Sequence, residues 1–170
     1  TNMCKPGSSP VAEKIAAVMG VEAASITPEA AVIHCQGNCN ATSKKYEFDG
    51  VKSCVAVNRF YSGDGFCSYG CIGLGDCAEV CSENAISIKN GIACIDKSKC
   101  IACGKCVKIC PNSLISIHPI KNHIDVKCSS KDNGKMTKTF CKNGCIGCKI
   151  CEKKCENDAI HVVDFHAVID

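Results

Sequence analysis

The feature that most constrains this chain is a cysteine run that occurs three times. Residues 100–111 read CIACGKCVKICP, with the spacing C-x2-C-x2-C-x3-C-P, and residues 145–155 read CIGCKICEKKC, with the same spacing but no proline. Residues 71–81 read CIGLGDCAEVC and differ at Leu74, where both other runs have cysteine. This spacing is typical of iron–sulfur ligands, since three thiolates hold one cubane cluster and the fourth reaches a neighbouring cluster. The runs therefore predict at least two [4Fe–4S] clusters.

Cysteine ligation must replace part of the hydrophobic core of an ordinary protein. The chain has 19 cysteines in 170 residues, no Trp, three Tyr and five Phe, a composition typical of a disulfide scaffold or a metal protein. Three closely spaced sulfurs on one loop can converge on a metal centre more readily than they can form pairs, so disulfides are disfavoured. Zinc sites usually show two paired knuckles, and the spacing therefore also favours iron–sulfur clusters over zinc.

The composition gives no support to a nucleic-acid partner or to a membrane span. No apolar run approaches the roughly 18 residues of a membrane helix, and no signal peptide precedes the motifs, which predicts a reducing, cytoplasmic compartment. The formal charge is +3, and Arg59 is the single arginine. Because few aromatic side chains are present to stack on bases, we expect no nucleic acid.

The segments that follow two of the runs are also alike. SENAISIKNGIACID follows Cys81 and leads to Cys100, and ENDAIHVVDFHAVID follows Cys155. By this repeat a fourth run is expected about four residues after Asp170. Alternating apolar residues predict two short closing strands in the first copy, around Ile86, Ile88, Ile92 and Ile95. The predicted fold is α+β: tandem bacterial-type 2[4Fe–4S] ferredoxin-like modules, of which the second is truncated.

The crossing of the fourth ligand assigns the clusters of the first module. One cluster takes Cys81, Cys100, Cys103 and Cys106, and the other takes Cys71, Cys77 and Cys110. The second set lacks a ligand at Leu74. Either Cys67 supplies the missing thiolate, which we favour, or the site holds a three-iron [3Fe–4S] cluster. The predicted ligands of the second module are Cys145, Cys148, Cys151 and Cys155.

The other cysteines show no regular spacing, and several lie in an insertion that follows the strand-like segment AAVIHC. A further cluster from Cys35, Cys39, Cys54 and Cys67 is supported by count alone, and it competes with the use of Cys67 at the Leu74 site. Cys94 is expected to be a small apolar residue in a strand. Cys128 and Cys141 either pair with each other or are inert.

Four motifs resemble the B subunit of the Rnf complex, the membrane-bound ferredoxin:NAD⁺ oxidoreductase, in its clostridial polyferredoxin form. They are CSYGCIGLGDC at 67–77, GIACIDKSKCIACGKCVKICP at 91–111, GCIGC at 144–148 and CKPG at 4–7. The resemblance covers essentially the whole chain. It implies a subunit with no bond chemistry of its own. This subunit relays low-potential electrons from reduced ferredoxin to other Rnf subunits, which couple the flow to ion transport and NAD⁺ reduction.

The resemblance also implies a domain organisation. In that family a membrane helix precedes a small cluster domain whose last cysteine lies in a C-x-P-G context, so Cys4 is expected to be that cysteine. The membrane attachment and the C-terminal run are expected outside this chain, and the location is the cytoplasmic face of the cell membrane. The predicted units are a helical segment at 1–30, a cysteine-containing insertion at 31–66, the first module at 67–120 and the truncated module at 121–170.

A helix is predicted after this start, with Ser9 as N-cap, Pro10 at its first position and Gly20 at its end. Its apolar stripe is predicted to contain Val11, Ile15 and Val18.

Lysines surround the last cysteine run, and they either steer an acidic electron carrier or form an ordinary solvated surface. They are Lys142, Lys149, Lys153 and Lys154. Two other functions are also compatible with the motifs. One is the polyferredoxin arm of a different redox enzyme, and the other is a zinc-bound interaction module.

Overall fold

Short helices and two-stranded sheets build the protein, as seen in a computed structural model that describes residues 7–22, 26–121 and 124–169. The helices are α1 Ser8–Met19, α2 Cys54–Asn58, α3 Asp76–Glu79, α4 Lys105–Ile109, α5 Gly134–Phe140 and α6 Ile150–Lys154. The strands are β1 Glu29–Ile33, β2 Ile86–Lys89, β3 Ile92–Ile95, β4 Ile115–Pro119, β5 Ile160–Val163 and β6 His166–Ile169.

Two antiparallel strand pairs enclose the first two cysteine runs. Strands β1 and β4 pair with Ala31 opposite Ile117, and β2 and β3 form a hairpin with Ile88 opposite Ala93. The core that they share contains Ala31, Ile86, Ala93 and Ile115 together with Cys77 and Cys106. Small alanines at 1 % exposure let the strands approach the cysteine helices closely. The cysteines are therefore part of the core.

The predicted closing strands around Ile86 and Ile95 are confirmed by the β2–β3 hairpin. Strand β1 overlaps the strand-like segment AAVIHC, but the predicted boundary at residue 31 falls inside this strand. Its partner β4 follows the Cys100–Cys110 run, so residues 34–70 form a long connection between β1 and the first run. The pairing with β4 was not predicted, because local sequence patterns carry no information about strands so far apart in the chain.

Helix α1 confirms the predicted N-terminal helix, with different details. Gly7 is the N-cap in place of Ser9, and Gly20 ends the helix as predicted, with a left-handed φ of 65°. The predicted apolar stripe is wrong, because Val18 is 89 % exposed while Ala12 and Ala16 are buried. Hydrophobicity favours valine over alanine, but the packed face is the one whose small side chains permit close contact.

The last cysteine run is followed by a hairpin like that of the first module. Strands β5 and β6 pair with Ile160 opposite Ile169, as β2 and β3 pair with Ile86 opposite Ile95. Both hairpins turn through two residues with positive φ, which are Asn90 and Gly91 in the first and Asp164 and Phe165 in the second. This is the backbone of a type I′ turn.

Candidate metal centres

All three cysteine runs have the same unusual backbone. The second residue after the first cysteine is left-handed in each run, with φ of 79° at Gly73, 53° at Ala102 and 64° at Gly147. The residue that caps the following helix is also left-handed, with φ of 95° at Gly75, 76° at Gly104 and 60° at Lys149. These two reversals wrap each loop around a point. The run without its middle cysteine keeps the loop shape of the other two.

The last cysteine of each run starts a second repeated structure. Its carbonyl accepts a hydrogen bond from the third residue onward, and its sulfur accepts one from the backbone N–H of the fourth. These N–H donors are Ala85 on Cys81 at 3.4 Å, Leu114 on Cys110 at 3.4 Å and Ala159 on Cys155 at 3.3 Å. Amide donors to sulfur favour the thiolate and tune a bound cluster. The three cysteines therefore share the environment of a metal ligand.

Site 2 consists of Cys81, Cys100, Cys103 and Cys106, which line one cavity of about 20 Å³. Ala31, Ile86 and Ile117 form its apolar wall. The sulfur of Cys100 also accepts a hydrogen bond from the N–H of Ala31 in β1, at 3.3 Å. The predicted four residues are brought together here, so their arrangement agrees with the assignment made from the sequence.

Site 1 consists of Cys54, Cys71, Cys77 and Cys110, which line a second cavity of about 20 Å³. Three of these are the predicted ligands of this cluster, but Cys54 is not among them. The thiol of Cys54 lies against the backbone N–H groups of Leu74, Gly75 and Asp76. A sulfur from the insertion is therefore next to the backbone of the residue that replaces the middle cysteine.

Helix α2 and Asp76 position Cys54. Cys54 is the first residue of α2, and the side chain of Ser53 caps this helix. The carboxylate of Asp76 accepts hydrogen bonds from the Ser53 hydroxyl at 2.8 Å and from the N–H groups of Cys54 at 2.7 Å and Val55 at 3.1 Å. Partial burial opposes ionisation of this carboxyl, but the hydrogen bonds outweigh it and lower the pKa of Asp76. Asp76 thus joins α2 to the start of α3.

Burial raises the pKa of the site 1 thiols, and their mutual repulsion adds to the shift. The pKa of Cys77 is raised to about 12, first by burial and then by Cys71, Cys54 and Cys110. Burial raises the pKa of Cys71 to about 11, and it also raises that of Cys106 in site 2. Without metal these thiols are protonated near neutral pH. Coordination must therefore displace their protons.

Cys67 does not line site 1. It lines a third cavity, which also contains Cys35, Cys128 and Cys141. No spacing rule distinguishes Cys54 from Cys67 in the sequence, because both precede the run at irregular distances. The available sequence signal was weak: a run with three cysteines needs one more thiol, and Ser53 before Cys54 resembles a helix cap.

The remaining predicted ligands lie at the end of the chain. Cys145 and Cys155 are half-buried, whereas Cys148 and Cys151 are exposed. The last run contains α6, with the loop backbone described above. Cys4, the predicted last ligand of an N-terminal cluster domain, lies outside the described residues.

The donor sets fit a cluster better than a single ion. Each of sites 1 and 2 presents four thiols around a cavity larger than the roughly 10–15 Å³ that one water molecule needs. Within the described ranges, no three Cys, His, Asp or Glu side chains are arranged as ligands of one metal ion. In the same ranges, no helix has the length and apolar character that a membrane crossing requires.

Comparison with known proteins agrees with this chemistry. Residues 70–114 match the family model described as a 4Fe-4S dicluster domain. This range contains seven of the eight cysteines of sites 1 and 2, and Cys54 is the one outside it. The prediction of [4Fe–4S] clusters is therefore confirmed.

Three relatives align with nearly the whole chain, and each is the B subunit of a membrane complex by name. That of the proton-translocating ferredoxin:NAD(+) oxidoreductase complex of Clostridium ljungdahlii is 45 % identical over 99 % of the chain. That of the Na(+)-translocating ferredoxin:NAD(+) oxidoreductase complex of Acetobacterium woodii is 38 % identical over 98 %. That of the ion-translocating oxidoreductase complex of Methanosarcina acetivorans is 36 % identical over 99 %.

The chain spans 60 %, 50 % and 64 % of the lengths of these relatives, respectively. The resemblance identified in the sequence is confirmed by their names. The chain is a homologue of the B subunits of ion-translocating ferredoxin:NAD⁺ oxidoreductase complexes and contains a 4Fe–4S dicluster domain.

Proposed function

We propose that this chain is the electron-relay portion of the B subunit of an Rnf complex. It accepts low-potential electrons from reduced ferredoxin and passes them to other subunits, which reduce NAD⁺ and move ions. A [4Fe–4S] cluster supplies reversible one-electron transfer, so the chain itself needs to make and break no bonds. Its residues hold the clusters, set their spacing and control their contact with water.

The interlocking of sites 1 and 2 carries this proposal. Helix α3 contains Cys77 of site 1 and leads to Cys81 of site 2, while α4 contains Cys106 of site 2 and leads to Cys110 of site 1. Cys77 and Cys106 both belong to the shared core. One rigid unit therefore fixes the separation of the two sites, as stepwise electron transfer requires.

We propose Cys54, in place of Cys67, as the fourth ligand of site 1. The Cys54→Ala protein is expected to form a three-iron cluster there, with its signal in the EPR spectrum of the oxidised protein. Adding Leu74→Cys should restore the four-iron cluster, because position 74 corresponds to Cys103 in a run of the same backbone.

The matched control is Cys39→Ala, which removes an exposed cysteine that lines neither site. It should leave the EPR spectrum unchanged. A Cys54→Ala protein that keeps all its iron and shows no three-iron signal would contradict the assignment of Cys54.

We also propose that residues 121–170 belong to a second ferredoxin-like module. The shared loop backbone of its run, the hydrogen bond from Ala159 to Cys155 and the β5–β6 hairpin support this. Its ligands are Cys145, Cys148, Cys151 and Cys155, and further ligands come from a run that follows this chain in the whole protein. In the first module, β1 belongs with β4, so the insertion occupies residues 34–66.

Reduced ferredoxin is proposed to dock near the last run. Lysines are exposed beside the exposed Cys148 and Cys151, and an acidic carrier would be steered to them. They are Lys142, Lys149, Lys153 and Lys154. The whole protein lies at the cytoplasmic face of the membrane, where soluble ferredoxin is present.

The test uses membranes that contain the complete complex. Cys106→Ser in site 2 should abolish NAD⁺ reduction by reduced ferredoxin, while NADH-dependent reduction of an artificial dye by the same membranes continues. The dye reaction controls for assembly of the complex. Ferredoxin-dependent NAD⁺ reduction at the wild-type rate, with site 2 empty of iron, would refute the relay function.

A further inference from the structure

Four cysteines outside sites 1 and 2 line one cavity between the two repeats. Cys35, Cys67, Cys128 and Cys141 surround a space of about 40 Å³, larger than the cavities of sites 1 and 2. Cys35 and Cys141 are buried, while Cys67 and Cys128 are half-buried. We name these four residues the bridging site. Neither the family match at 70–114 nor the cysteine-run spacing includes this set.

The bridging site takes equivalent residues from both repeats. Cys67 and Cys141 each lie four residues before the first cysteine of a run, and each follows a phenylalanine. The rings of Phe66 and Phe140 stack, with centroids 5.9 Å apart and planes at 20°. The N–H of Gly70 donates to the carbonyl of Cys67 at 3.1 Å, as that of Gly144 donates to Cys141 at 3.2 Å. This pair is therefore related by an approximate local symmetry.

The other pair follows equivalent segments. Cys35 comes after β1 in the sequence AVIHC, and Cys128 comes after the corresponding IDVKC. The two segments contact each other directly, because the Ser129 hydroxyl donates to the His34 carbonyl at 3.1 Å and Lys127 Nζ donates to the Ile33 carbonyl at 3.2 Å. A ring nitrogen of His34 also lies 2.8 Å from the carbonyl of Val126.

The sulfurs have the surroundings of cluster ligands. Cys35 Sγ accepts hydrogen bonds from the N–H groups of Gly37 and Cys71, both at 3.4 Å, like the sulfurs of Cys81 and Cys110. A Cβ on Gly37 would lie 3.4 Å from Cys141 Sγ and 3.6 Å from Cys35 Sγ. Burial raises the pKa of Cys67 to about 11, and the thiols of Cys35, Cys141 and Cys128 contribute to the shift. Four buried or half-buried thiols that repel as thiolates call for a shared cation.

We propose that the bridging site holds a [4Fe–4S] cluster ligated by Cys35, Cys67, Cys128 and Cys141. Its four thiols around an open cavity match the donor sets of sites 1 and 2. Cys71 lines both the bridging cavity and site 1, and its N–H donates to Cys35 Sγ. One residue thus separates the two clusters. The bridging cluster connects the electron path of the first repeat with the second.

The first test is cysteine labelling of the wild-type full-length protein, kept without oxygen. A small alkylating reagent should leave all four bridging cysteines unmodified and should label the exposed Cys39. Oxidative removal of iron and sulfide should make the four reactive together, as detected by peptide mass spectrometry. Labelling of Cys67 or Cys128 in the iron-loaded protein would overturn the proposal, as would protection that survives complete loss of iron.

The second test counts metal in variants of the same protein. Cys67→Ser and Cys128→Ser should each lower iron and acid-labile sulfide by about four per chain, or convert one cluster to a three-iron form with its EPR signal. Cys39→Ser is the matched control and should lose none. The iron count does not depend on ferredoxin, so its failure is distinct from failure of the relay function.

Two other outcomes would give the site a different chemistry and overturn the proposal. Loss of one zinc with no change in iron would identify a zinc site, and a disulfide detected in the oxygen-free wild-type protein would exclude ligation. If a variant loses all of its iron through misfolding, the wild-type labelling experiment decides alone.

Discussion

Asp76 is expected to hold site 1 together by fixing helix α2, although its carboxylate is not one of the proposed cluster ligands. Asp76→Ala removes acceptors for three hydrogen bonds, which come from Ser53, Cys54 and Val55 at 2.7–3.1 Å. A hydrogen bond contributes about 1 kcal/mol net, and a carboxylate acceptor somewhat more, but Asp76 is half-buried and water can replace part of the loss. We therefore expect α2 to be destabilised by about 2–3 kcal/mol.

This energy predicts a measurable rate. If iron leaves site 1 after α2 opens and carries Cys54 away, opening becomes roughly 30- to 140-fold more frequent at about 1.4 kcal/mol per factor of ten. The assay follows iron release to a coloured chelator without oxygen, with the three-iron EPR signal identifying the site. Asp76→Asn, which keeps one acceptor oxygen, should lie between Asp76→Ala and the wild type.

Asp96→Ala is the matched control for this experiment. Asp96 also accepts a backbone N–H and a hydroxyl, both from Ser98 and at 2.9 and 2.6 Å, but it is exposed and lies before the Cys100 run. It should leave iron release from site 1 unchanged. Iron release from Asp76→Ala within twofold of the wild-type rate would refute the role given to this carboxylate.

Two further predictions concern the left-handed residues of the cysteine loops. Gly104→Ala, at φ 76° with nothing within 4 Å of its Cβ, should cost about 1–2 kcal/mol, whereas Gly73→Ala, at φ 79°, should cost about 1–3 kcal/mol more because its Cβ would lie 2.2 Å from the Gly91 carbonyl oxygen. Equal costs in thermal unfolding would contradict the close packing of this loop on the β2–β3 turn. Lys149→Gly should stabilise the last run by about 1 kcal/mol because φ is 60° there, while Lys153→Gly inside α6 should destabilise it by a similar amount. The sign of the difference between the two lysine variants, measured by chemical denaturation, is the test.

The cysteine runs determined much of this protein without reference to tertiary structure. Ligation by closely spaced thiolates is a local property, so the spacing at Cys100, Cys103 and Cys106 was sufficient to predict a cluster and the crossing of Cys81. The β2–β3 hairpin was equally local, because alternation of apolar residues around an Asn-Gly turn specifies it. In these cases neighbours in sequence are also neighbours in space.

Only the tertiary structure decided which distant thiols complete the sites. Cys54 reaches site 1 through a five-residue helix held by Asp76, and β1 reaches its partner β4 across the whole first module. Cys67 is the nearer thiol in sequence, but it lies in a cavity with three cysteines from both repeats. Spacing is informative only while the chain between two ligands is short and stiff. Across a long insertion, packing and hydrogen bonding determine which sulfurs meet.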